Sequence, residues 1–113
     1  MQLEAKKYLY DIQQAAQRIA DFSSGKRFED YQGSAILRAA VERQFEIIGE
    51  AIARMIRLDE SIAARITMYR RIVAFRNILI HGYDDVDDRV VWDIVETKLA
   101  LLRSEVETLL KET

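Results

Sequence analysis

Residues 76–92 read RNILIHGYDDVDDRVVW, and the fold is decided by how this stretch divides. Its first part closes an apolar run, Ile72, Val73, Phe75, Leu79 and Ile80, whose polar counterpart is Arg70, Arg71 and Arg76. Gly82 then ends the helix, a position that suits the left-handed conformation glycine adopts at little cost. Val86 and Val91 flank Asp87 as a hydrophobic staple around an N-cap, and Asp87 and Asp88 bring negative charge to the positive end of the next helix. The stretch therefore reads as a helix, a stop, a cap and a second helix. From there Val91, Val95, Leu99, Leu102, Val106 and Leu109 predict one helix running to the C-terminus.

Working upstream, Thr67 is the expected cap of the helix that carries Arg76, and Asp59 the expected cap of a brief helical piece through Ile66. Arg57 to Ser61 form a polar turn. Before it, Ser34 caps a long helix with a core stripe of Leu37, Val41, Ile48, Ala51, Ile52 and Met55. Phe45 and Ile47 widen that stripe beyond the need of one partner. Gly49 costs about 1 kcal/mol relative to alanine in mid-helix. It marks either a close approach by another helix or a neutral surface position. Residues 3–23 repeat Tyr8, Ile12, Ala15, Ile19 and Phe22 at helical spacing, and Ser23, Ser24 and Gly25 stop them. Lys26 to Gly33 read as a join whose Phe28 and Tyr31 tuck back onto the bundle.

Composition agrees with long helices and short joins. The chain has 113 residues, no proline and only four glycines. Half its residues are apolar and 32% are charged, as in an ordinary globular protein. We expect a single domain, 1–113, of all-α class: an up-and-down bundle of four main helices plus one short helix. With no cysteine, disulfide and thiolate chemistry is excluded, which fits a reducing cytoplasm. MQLEAKKYLY lacks a signal-peptide core, and no segment approaches the roughly 18 apolar residues of a membrane span. No membrane partner is expected. A net charge of −2 argues against a general nucleic-acid coat protein, although a cleft responds to its own charges. There is no internal repeat or linker.

Chemistry concentrates at one place. His81 is the only histidine, Arg76 precedes it by five residues and Tyr83 follows by two. Imidazole exchanges protons near neutral pH, and guanidinium forks onto phosphate. A lone histidine at a helix end commonly caps carbonyls or faces solvent, so the pair alone is a weak signal. The chain has no Ser-His-Asp constellation, glycine-rich phosphate loop or histidine pair for zinc. Asp84, Asp85, Asp87 and Asp88 lack matching ligands and are better read as capping and solvation than as a metal site. Positions five apart on a helix differ by about 140°. Either the helix ends near His81, or a second subunit completes the pair about a two-fold axis.

The spacing of arginine, histidine and tyrosine in RNILIHGY resembles the signature of HepT-like toxins of the HEPN superfamily. RQFEIIGEA, residues 43–51, resembles that family's second-helix phrase, and RNILIHGYDDVDDRVVW its motif and the turn into its last helix. The likeness covers nearly the whole chain. Many relatives carry a proline near position 100, where this chain has Ala100. The resemblance implies a homodimeric, metal-independent endoribonuclease of a type II or VII-like toxin–antitoxin pair, with no cofactor. It implies Arg76 and His81 as catalytic residues and Asn77 and Tyr83 as supporting ones. It further implies a minimal nucleotidyltransferase antitoxin that places AMP on Tyr83. A non-catalytic nucleotide- or RNA-binding or dimerisation module is the alternative.

Overall fold

The computed structural model describes residues 1–82 and 86–112. Its elements are α1 (Leu3–Ser23), α2 (Phe28–Gln32), α3 (Ala35–Ala63), α4 (Tyr69–His81), α5 (Asp88–Thr97) and α6 (Leu99–Lys111). No strand occurs among the described residues. The class is all-α, as expected.

Helix α3 is the centre. Its buried face, Val41, Phe45, Ile48, Ala51, Ile52 and Met55, packs on α1 along one side and on α4 along another. This is why its apolar stripe is wider than one partner requires. Ile12, Ala15 and Ile19 of α1 are buried as their spacing predicts, while Tyr8 and Phe22 lie half-buried at the margin. Helix α6 closes the other side of α1, and α5 holds α2. Three of the expected caps are formed, at Ser34, Asp59 and Asp87. Ser34 Oγ accepts from the Leu37 N–H at 3.1 Å, and Asp87 Oδ1 from the Arg89 N–H at 2.8 Å.

The structure corrects the sequence reading in five places. The join after α1 contains a short helix, α2, started by Asp30, whose carboxylate accepts the Arg27 N–H at 2.9 Å. Tyr31 of α2 is fully buried against Trp92, with ring centroids 5.2 Å apart. The piece after Asp59 is continuous with α3 across a kink (Asp59 φ −163°, ψ 96°) and ends at Ala63 rather than Ile66. Asp59 does cap it, accepting the Ser61 N–H at 3.1 Å. Thr67 does not cap α4. Its N–H and hydroxyl both bond Glu105 of α6, so a tertiary tie takes precedence over the local cap. Gly82 ends α4 with φ −129°, outside the left-handed region, and its N–H still bonds the Ile78 carbonyl at 2.8 Å.

The fifth correction concerns the last helix, which bends at Lys98 into α5 and α6. In the preceding turn the Thr97 hydroxyl bonds back to the Asp93 carbonyl at 2.6 Å, and Lys98 departs from helical geometry with φ −119°. The apolar stripe survives the bend, because Val91, Val95, Leu99, Leu102, Val106 and Leu109 are all buried.

Helix α4 is the least enclosed element. It packs chiefly on α3, and Leu79 is its one buried residue. Ile78 and Ile80 are exposed. A mostly apolar crevice of about 220 Å³ separates α4 from the α5–α6 bend, lined by Phe45, Ile72, Phe75, Ile94, Leu99 and Leu102 among others.

Candidate active site

Arg76 stands on the side of α4 that meets α3, and a glycine lets it come there. A methyl at Gly49 would overlap the Arg76 Cβ and lie 2.8 Å from its Cγ. Of the two readings of Gly49, close helix approach is therefore the one realised, and Arg76 is what approaches. The guanidinium then reaches the next residue of α3: its Nη2 pairs with Glu50 Oε2 at 2.6 Å. Its Nη1 donates to Asn77 Oδ1 at 3.0 Å, and its Nε is buried without a partner.

Glu50 serves two arginines at once. Its other oxygen, Oε1, accepts from Arg54 Nε at 2.9 Å. The Arg54 hydrogen bond holds the Glu50 carboxyl below its ordinary value; burial opposes this, and the charges of Arg76 and Arg57 add to it. The carboxylate is thus ionised at neutral pH. Around it opens a cleft of about 360 Å³ lined by Tyr8, Arg43, Glu50, Arg54, Arg76 and Ile80 among others. Glu50 and Arg54 were not among the residues singled out from the sequence. The available signal was Gly49 itself, since a helix crossing there brings its side chains onto the neighbouring positions of α3.

His81 is the final residue of α4, exposed, with no hydrogen bond or ion pair among the described residues. The helix is regular from Arg76 to His81, so the two side chains leave it about 140° apart. One chain brings Arg76, Asn77 and Glu50 together and leaves His81 on another face. Tyr83 lies outside the described residues, as do Asp84 and Asp85. Of the remaining aspartates, Asp87 is a cap and Asp88 faces Arg38 at 4.0 Å.

A family model described as ribonuclease HepT-like matches residues 12–109. Among curated proteins, "Probable ribonuclease HepT" of Thermococcus cleftensis is 34% identical over 98% of this chain and 100% of its own length. "Putative RNase MJ1380" of Methanocaldococcus jannaschii is also 34% identical, over 92% of this chain and 94% of its own. No solved structure matches the chain significantly. With the family model spanning most of an all-helical chain in which the RNILIHGY motif closes α4, the chain belongs to the HepT-like ribonuclease family of the HEPN superfamily.

Proposed function

We propose that this HepT-like ribonuclease is a homodimeric endoribonuclease that cuts single-stranded RNA without a metal, at a site shared between two copies of α4. The observation that carries the reading is the state of α4. It bears Arg76 and His81 on different faces and leaves Ile78 and Ile80 exposed beside them. A two-fold axis running past this helix would cover the isoleucines and set the His81 of each copy toward the Arg76 of the other.

RNA supplies its own nucleophile. The His81 imidazole takes the proton of the 2′-hydroxyl, whose oxygen attacks the phosphorus as the bond to the 5′ oxygen breaks. The departing oxygen takes a proton, which the second imidazole of the dimer can supply. Arg76 stabilises the charge gathering on the phosphate, with its guanidinium already fixed by Glu50 and Asn77. The products are a 2′,3′-cyclic phosphate and a 5′-hydroxyl.

The control we propose follows the same motif. A minimal nucleotidyltransferase antitoxin transfers AMP from ATP to the Tyr83 hydroxyl, releasing pyrophosphate. The added phosphate sits two residues beyond His81 and competes with RNA for the arginines. Among the described residues no helix is long and apolar enough to cross a membrane, and we place the protein with its RNA in the cytoplasm.

Chelator-treated protein should cut single-stranded RNA and leave a cyclic phosphate, and Arg76→Ala and His81→Ala should each abolish cutting with helicity unchanged. Cleavage that depends on added divalent metal would overturn these roles. Binding without cutting is the second reading: within one chain Arg76, held by Glu50 and Asn77, offers a phosphate clamp with His81 on another face. RNA bound but left intact would select it. For the control step, mass spectrometry after incubation with the antitoxin and ATP should find AMP on the Tyr83 peptide. Tyr83→Phe should escape both modification and silencing.

A further inference from the structure

We propose that Arg54 is a second phosphate-binding residue, held in register with Arg76 by Glu50, so that the cleft takes two neighbouring phosphates of a single strand. The inference rests on the reading of this cleft as the RNA site and adds a substrate subsite to it. Glu50 and Arg54 are one helical turn apart on α3, and Arg76 enters over Gly49 from α4. Each oxygen of the one carboxylate takes one guanidinium, Arg54 at 2.9 Å and Arg76 at 2.6 Å. A single carboxylate thus keeps two forked cations on one site, and a forked guanidinium binds phosphate oxygens in pairs.

The charge balance singles out the same pair. Asp11 has Lys7 at 3.7 Å and Glu46 has Arg43 at 3.5 Å, so those acids of the cleft each have their own cation. Arg54, Glu50 and Arg76 are two cations on one anion, so this end of the cleft is locally positive, and Arg57 adds to the field at Glu50. Arg54 spends its Nε on Glu50, while 54% of its side chain faces solvent beside the Tyr8 hydroxyl. It is open to a ligand, where Arg76 is more enclosed at 26%.

The test is equilibrium binding of an uncleavable single-stranded 2′-deoxyoligonucleotide across a salt series, with RNA cleavage measured in parallel. Arg54→Ala should weaken binding about tenfold and lower the log–log salt slope by about 0.7, the value for one phosphate contact on a single strand. Arg54→Lys should restore most of both, and the cleavage defect should fall mainly on KM. Glu50→Gln should weaken binding as well as lower kcat, because the carboxylate that holds both arginines in register is gone. Unchanged affinity and salt slope in Arg54→Ala overturn the proposal. Wild-type protein that binds the strand but cuts no RNA overturns the cleavage reading and leaves this one standing. Wild-type cleavage together with tight binding by Arg54→Ala does the reverse, and wild-type protein that binds no strand overturns both.

Discussion

Gly49 and Arg76 form the contact on which the site depends. The arginine reaches Glu50 because α3 offers no side chain at the crossing, so adding one carbon forces the helices apart or turns the guanidinium out. Overpacking of this kind costs about 1–3 kcal/mol. Alanine regains about 1 kcal/mol of helix propensity against that cost, so Gly49→Ala should lower stability by at most about 2 kcal/mol in urea denaturation and lose RNA cleavage. A fully stable, fully active Gly49→Ala protein would mean that the α3–α4 approach is looser than its geometry indicates. Mid-helix glycine is visible in the sequence as a local cost, but what it makes room for belongs to a different helix.

At the scale of elements, α2 shows how a small piece is fastened. Its Tyr31 ring fills the space against Trp92, yet the hydroxyl is buried with no hydrogen-bond partner. Burial, together with the charges of Glu42 and Asp88, pushes the Tyr31 pKa well up, so the group stays neutral. A buried polar group left unpaired costs about 1–3 kcal/mol, whereas losing a large aromatic ring from a core costs about 3–5 kcal/mol. Tyr31→Phe should leave the melting temperature unchanged or raised, and Tyr31→Ala should lower it sharply. A marked loss in Tyr31→Phe would show that the hydroxyl is held by a bond of its own. Helix α4 is the opposite case, a helix whose apolar residues are mostly left half-covered by its own chain.

The whole molecule carries a pH dependence of mixed sign. Glu50 and Glu112 are held below the ordinary carboxylate value by arginine hydrogen bonds, so what they contribute is present at neutral pH and lost on acidification. Glu42 runs the other way. Burial raises its carboxyl first, then Asp88 and Glu46, against the pull of Arg38. The folded chain then keeps this proton when the unfolded chain has released it, and stability falls as pH rises from about 4.5. Glu42→Gln should remove that fall, so its melting temperature should exceed wild type near pH 7 and match it in acid. Equal pH profiles would deny Glu42 the role. Assembly belongs to this scale too. Sedimentation at micromolar concentration should give twice the 13.2 kDa chain mass, and Ile78→Asp should shift it to monomer with RNA cleavage lost. A wild-type monomer would remove the shared site.

Each helix face follows from its own sequence, because an apolar side chain every three or four residues leaves only one way to turn the helix toward a core. Ile12, Ile19, Ile48, Ile52, Leu102 and Val106 are buried for that reason, and Ser34 and Asp87 cap because a cap needs only its own next turn. The motif residues were legible as well, since His81 is the sole imidazole and Arg76 stands at a fixed distance along the chain. What the sequence could not carry is every choice between competing partners. Thr67 turns from its own helix to Glu105 of α6. Glu50, with several arginines within reach of its stretch, takes Arg54 and Arg76. These choices depend on where one helix crosses another, and helix crossings are decided by packing across distant segments, here by the single missing side chain at Gly49.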